Sequence, residues 1–350
     1  MKITPGKILL LGSGETSHAG GQAFEAVSTP IEKDFHIRLL ETPAGFELNS
    51  PQVVGRVADY MRIRLQNYAP DIQLVAARRK TGDFSTDSAA HADKLAEGDL
   101  IFLGPGSPTY TIKHLEGSRV WETLKAAFLQ GANLAIASAA TIAVGKFALP
   151  VYEIYKVGHD PFWNNGLNLL SLFGLEVSFI PHWNNNDGGA DLDTSRCFIG
   201  RARFDPLLGR LPEDHLVVGL DEQTGLILDI QNGICKVIGK GQVHLQRNSE
   251  IQDFSDGDEF PMSKFGEMHG QAVQGVDPDT WETVKRIRHE RHVLPPPAEV
   301  PVEVETLVDQ RKKAREGKIW LESDRIRDQI AGLGWKVIDT PEGQKVEKND

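Results

Sequence analysis

The 350-residue sequence predicts an α/β fold, a mostly parallel sheet sandwiched by helices, with a small helical appendage at the C-terminus. Three observations carry this prediction. Roughly the first two hundred residues alternate short apolar runs with amphipathic stretches, the pattern of βα units. The apolar runs at 7–12, 37–41, 72–77, 100–104 and 134–138 are strand-sized, and several end in loops of Gly, Pro and small polar residues. Beyond about Arg247 the alternation stops, and helical periodicity returns only near the end of the chain.

Taken in order, the first strand runs into GSGETS, the second into ETPAGFELN and the fourth into GPGSPTY. In an open α/β sheet the ligand sits beyond the carboxyl ends of the strands, so these loops are expected to converge. Between them lies a helix over 53–66, with Val54, Ala58, Met61 and Leu65 at helical spacing. The stretch GANLAIASAATIAVG reads as a buried strand that turns at Ser138 into a helix. A Ser at such a junction is either a helix cap or a nucleophile raised on a sharp elbow.

The style then changes. VYEIYKVG and LEVSFIPHW read as strands, and PHWNNNDGG as a polar loop beginning at His182. Phe204, Leu207, Leu208 and Leu211 share one helical face, with Arg196, Arg201, Arg203 and Arg210 more exposed. HLVVGLDE is a strand ending in carboxylates, TGLILDIQNGICKVIG a hairpin with Asn232-Gly233 as its two-residue turn, and GQVHLQR the last strand. Residues 248–275 read as a surface extension or linker, Asp277-Pro278 opens a helix to about His289, and VLPPPAEVP is a stiff spacer. Two amphipathic helices over 304–317 and 319–333 and a short WKVIDTPEG ending complete the chain. The domain expectation is therefore 1–248 as a catalytic α/β unit, 249–300 as extension and linker with one helix, and 301–350 as a helical hairpin.

Composition narrows the function. Hydrophobic residues at 40% and charged residues at 25% are those of an ordinary globular chain, and the longest apolar runs are too short for a spanning helix. The opening MKITPGKILLLGSGE lacks the pattern of a secretory signal, so a cytoplasmic location and no membrane contact are expected. Two cysteines make neither a disulfide framework nor a tetrahedral metal site. A net charge of -11 argues against general nucleic-acid binding, with the C-terminal tail as the one exception. Homo-oligomerisation is left open.

A serine nucleophile needs a base, and the base an orienting acid. Ser138, His182 and Glu222 each fall at the end of an expected strand, on one edge of the sheet if those strands are parallel. Asp221 and Glu222 point to opposite sides by strand alternation, so one orients the imidazole and the other ends the strand in solvent. Asn184, Arg196 and Asp221 are candidate substrate-binding residues. Glu15, Glu41, Glu47, Asp187 and Asp193 read as turn or cap residues. His159-Asp160 lacks metal-ligand spacing, and no metal or cofactor is expected.

The runs ASAAT around Ser138, IPHWNN around His182, and RCFIGRARF, GRLP, VVGLDEQTGLILD and VIGKGQV around Glu222 resemble the cyanophycinase and aspartyl dipeptidase (dipeptidase E) family of serine peptidases. The resemblance covers about residues 5–247 and implies a class I glutamine amidotransferase-like fold. It implies Ser138 as nucleophile, His182 as base and Glu222 as acid, acting on a small peptide or isopeptide amide. It further implies that the loop Gly104–Pro108 supplies an oxyanion donor from Gly106 or Ser107, beside the amide of Ala139. One departure is Ala140, where the family's elbow carries Gly. Its methyl is expected to crowd the turn, which motivates the alternative of a non-catalytic ligand-binding protein that keeps the pocket. Residues 304–343 resemble the C-terminal helical segment of cysteinyl-tRNA synthetases. HIGH and KMSKS are absent, so no aminoacylation is implied, and the second alternative is a tRNA-associated role through the tail.

Overall fold

The computed structural model describes residues 3–28, 35–269, 275–292, 301–317, 319–340 and 343–348. They form two compact units, Met1–His289 and Glu290–Asp350. The first opens with β1 (Lys7–Leu11), α1 (His18–Ser28), β2 (His36–Leu40), α2 (Ser50–Arg64), β3 (Asp71–Val75), α3 (Ala89–Ala96), β4 (Leu100–Leu103), α4 (Pro108–Leu115), α5 (Arg119–Leu129), β5 (Asn133–Ala137) and α6 (Ala139–Ala143). These are the expected βα units, with strand ends within one or two residues of those read from the sequence. In β1, Ile8 and Leu10 enter one core cluster while Leu9 and Leu11 enter the other. The sheet is buried on both faces, which is why its strands read as unbroken apolar runs.

The remainder of this unit holds β6 (Phe147–Ala148), β7 (Asn164–Asn165), β8 (Val177–Ile180), α7 (Arg201–Leu208), β9 (Leu216–Leu220), β10 (Thr224–Asp229), β11 (Ile234–Gly239), β12 (Gln242–Arg247), β13 (Glu250–Ser255), β14 (Glu259–Pro261) and α8 (Pro278–His292). The main sheet has eight strands in the order β14-β11-β10-β1-β5-β4-β2-β3. Strands β1 to β5 run parallel, and β10, β11 and β14 extend the sheet antiparallel. A second sheet, β13-β12-β9-β8, pairs β8 with β9 in parallel and the rest antiparallel.

The second sheet revises the single-edge picture: Ser138 follows β5 of the large sheet, whereas His182 and Glu222 follow β8 and β9 of the small one. The two meet where the His182 amide donates to the Gly12 carbonyl at 3.2 Å. A Cβ on Gly12 would lie 2.1 Å from the Asp221 carbonyl oxygen, so glycine at that point is what lets the strand ends approach.

Several expectations are corrected. VYEIYKVG is helical and contains a π-helical turn over Glu153–Val157. The β10–β11 hairpin closes through four residues, 230–233, because Asp229 pairs with Ile234 and its carboxylate accepts from both the amide and the side chain of Asn232. Residues after Arg247 are no mere extension: β13 pairs with β12, and β14 pairs with β11. The spacer at 293–301 lies outside the described residues except for Pro301.

The second unit contains α9 (Val302–Glu316), α10 (Trp320–Gly332) and an antiparallel hairpin of β15 (Trp335–Thr340) and β16 (Gly343–Lys348). The hairpin was not anticipated beyond a short ending. Its small core gathers Val304, Ala314, Ile326, Ile330, Trp335 and Val337.

Candidate active site

Ser138 occupies the junction of β5 and α6 with φ 52° and ψ -117°, a conformation that costs a non-glycine residue about 1–3 kcal/mol. Among the described residues its hydroxyl makes no helix-cap hydrogen bond. It lies instead 3.1 Å from His182 Nε2. The next turn is secured by Thr141, whose hydroxyl is 3.0 Å from the Ile136 carbonyl and 3.1 Å from that of Leu11. Ala140 sits in the regular helical turn, fully buried in the main core cluster. Its methyl is part of that core.

His182 also has positive φ, 51°, and its Nδ1 faces Glu222 Oε1 at 2.9 Å. Its ring packs against Phe198 with centroids 5.1 Å apart, and Phe198 in turn meets Tyr155 at 6.0 Å. Phe198 is presented by three successive positive-φ residues, Arg196, Cys197 and Phe198, strapped back by the Cys197 amide on the His182 carbonyl at 3.1 Å. The Cys197 thiol is buried, and burial pushes its pKa up, so it offers no competing thiolate.

Glu222 is held at two points. Its amide donates to Asn184 Oδ1 at 2.8 Å, and its carboxylate accepts from Asn185 Nδ2 at 2.9 Å as well as from His182. The His182 hydrogen bond foremost, with Asn185 adding to it, holds the carboxyl below its ordinary value against the opposing effect of burial. Glu222 therefore keeps its charge to lower pH than an unpartnered glutamate.

The remaining nominated residues divide. Asn184 acts on the Glu222 backbone. Arg196 lies over the Trp183 indole at 3.7 Å and donates to the Trp183 carbonyl at 3.0 Å, so its guanidinium is spent on packing. Asp221 turns away from His182, accepting from the Gln242 amide at 2.9 Å and meeting His244 Nε2 at 3.1 Å. The Ser107 amide is bonded to the Pro43 carbonyl at 3.0 Å and its hydroxyl caps Tyr110, which removes Ser107 as an oxyanion donor. Gly104 leaves room for the Phe102 ring. Gly106 and Ala139 remain at the starts of α4 and α6, which pack together. Asn185 was missed, although the Asn-rich loop that carries it was visible as an exposed, positioned segment.

Among the described residues no cluster of three metal-ligating side chains occurs, and no helix is long and apolar enough to cross a membrane.

The architecture is shared with a solved peptidase structure. A peptidase from an acI-B1 Actinobacterium superposes with a TM-score of 0.57 at 18% identity, covering 73% of this chain and 97% of that one. A putative peptidase E protein from Listeria monocytogenes gives a TM-score of 0.44 at 12% identity. The chain thus has a peptidase-like fold. The tail has separate relatives, which support the resemblance found there. Cysteine--tRNA ligases of Caldicellulosiruptor saccharolyticus (51% over 49 residues, 14% of this chain), Methanosarcina mazei (50% over 52 residues, 15%) and Chlamydia caviae (41% over 69 residues, 19%) match short stretches. The chain spans between 10% and 14% of the length of those three relatives. No family model matches the chain.

Proposed function

We propose that this protein is a serine-type hydrolase that cleaves a small peptide or isopeptide amide bond through Ser138, His182 and Glu222. The observation that carries the reading is the contact chain from Ser138 Oγ to His182 Nε2 at 3.1 Å and from His182 Nδ1 to Glu222 Oε1 at 2.9 Å. In this reaction His182 Nε2 takes the hydroxyl proton as Ser138 Oγ attacks the carbonyl carbon. The oxyanion is met by the amides of Ala139 and Gly106. His182 returns the proton to the departing nitrogen, leaving an acyl ester on Ser138. Water, deprotonated by His182, then attacks the ester, and Ser138 leaves with the proton back on Oγ. Glu222 keeps Nδ1 protonated throughout and stabilises the imidazolium formed in each half-reaction.

A fluorophosphonate probe tests this: it should label Ser138 in the wild type and leave Ser138→Ala unmarked, with mass spectrometry locating the adduct. A folded wild-type protein that takes no label and leaves dipeptide libraries uncleaved would sink the reading. The tail similarity favours a second, separate role, contact with tRNA through Val302–Lys348. Retention of labelled tRNA that weakens with salt would support it, and no retention at low salt would refute it.

A further inference from the structure

We infer that His244 is a positioning residue for this hydrolytic site, clamped between Asp221 and Asp253 so that it fixes the strand ends that carry both the base and the acid. The inference rests on the hydrolase reading above. Its starting point is alternation along two dipeptides. In His182-Trp183 and in Asp221-Glu222, one residue belongs to the contact chain Ser138–His182–Glu222 while its neighbour meets His244.

The contacts are specific. His244 Nε2 lies 3.1 Å from Asp221 Oδ1, and Nδ1 lies 2.7 Å from Asp253 Oδ1. An ionised carboxylate only accepts hydrogen bonds, so both ring nitrogens must carry protons for both contacts to be favourable. The imidazolium ring stacks on the Trp183 indole, with centroids 5.4 Å apart and planes 22° apart. Arg196 also lies over that indole, so the charged groups around His244 are Asp221 from the end of β9, Asp253 from β13, and Arg196 across Trp183.

Cross-strand register explains how the indole reaches its place. His244 in β12 stands opposite Gly219 in β9, and a Cβ on Gly219 would lie 2.4 Å from Trp183 Cδ2. The missing side chain is the notch in which Trp183 seats. A Cβ on Gly241 would likewise lie 2.5 Å from Asp221 Cβ, so the Asp221 side of the clamp is also built around a glycine. Each ring nitrogen thus meets one carboxylate oxygen at direct hydrogen-bond separation.

Burial alone would pull the His244 titration down, but the hydrogen bonds to Asp221 and Asp253 outweigh it and raise the pKa above 6.5. With the folded value raised, the clamp is intact at low pH and lost as pH rises through that value. Loss of one proton turns one of the two donors into a lone pair facing a carboxylate, and the clamp no longer ties Asp221 to Asp253. Glu222, the chain neighbour of Asp221, then loses alignment with His182.

The test measures the rate of fluorophosphonate acylation of Ser138 against pH in the full-length wild type, His244→Gln and Asp253→Asn, alongside imidazole-ring NMR. The wild type should slow on the alkaline side. Asp253→Asn should move that limb to lower pH, because one of the two carboxylates that hold the proton is gone. His244→Gln should acylate about 10- to 100-fold more slowly, the cost of a small misplacement, and lose the limb. In the NMR spectrum the Nδ1 proton of His182 bonded to Glu222 should broaden or shift in both variants. Folded variants with unchanged pH profiles and an unchanged His182 signal would overturn the inference. If the wild type takes no label but the His182 signal responds to both variants, the positioning role stands and the hydrolase reading fails.

Discussion

At the residue scale, the three chemical groups were legible because each ends an apolar run, and the polar residue closing a buried strand stands out. Their supports were not. Asn184 and Asn185 look alike in sequence, yet one holds the Glu222 amide and the other its carboxylate. Arg196 reads as a substrate-binding residue because a guanidinium fits a carboxylate. The Trp183 indole 3.7 Å away that claims the same group leaves no trace in the sequence around it. Glu222→Gln should keep the geometry but fail to hold the imidazolium, lowering the acylation rate by about 10²–10⁴-fold in a labelling time course. A second residue-scale prediction concerns His215. The Ser178 hydroxyl accepts from the Phe147 amide at 3.0 Å and lies 2.9 Å from His215 Nε2, which suits an unprotonated acceptor nitrogen. Burial, the leading cause, lowers the His215 pKa to about 4 from 6.5. The unfolded chain therefore binds the extra proton between those values, and stability falls as pH drops through that window, by on the order of 2 kcal/mol. His215→Gln should flatten that part of a urea-denaturation profile, and an unchanged acid slope would count against it.

At the scale of elements, the elbow was readable as a strand-to-helix turn, but the positive φ of Ser138 and its lack of a cap hydrogen bond are not written in composition. VYEIYKVG misled for a physical reason. Its β-branched and aromatic residues favour strands, while Val151 and Ile154 are buried three positions apart and Tyr152 and Tyr155 are exposed three positions apart, the helical signature. The loop before α4 gives the element-scale prediction. Gly106 has φ 152°, and a Cβ there would lie 1.8 Å from the Pro43 carbonyl oxygen. The backbone partner is not a side chain that can swing away. Gly106→Ala should therefore cost about 2–4 kcal/mol in denaturant melts, and it should slow Ser138 acylation beyond what the fraction unfolded explains. Wild-type stability in this variant would show that the loop has room to move.

At the scale of the whole molecule, the parallel βα half was visible from hydrophobic periodicity, whereas the division of the site between two sheets was not. Strand ends can be counted from sequence, but the sheet each strand joins depends on long-range pairing such as β9 with β12. Strand β13 escaped because its residues are almost all exposed, so it carries no alternating buried pattern. The second unit raises a separate question, whether the chemistry needs it. Every residue that touches Ser138, His182 or Glu222 in the site described belongs to Met1–His289, as do both cysteines and the His244 clamp. The second unit carries its own small core around Ile330 and Trp335, and its relatives are ligases of which it spans only a short part. A chain ending at residue 300 should therefore take the fluorophosphonate label at Ser138 within about twofold of the full-length rate, since the contacts that hold the three side chains are all made within the first unit. Any retained tRNA should vanish with the tail. A folded, truncated protein whose Ser138 labels tenfold more slowly would mean that the two units work as one enzyme.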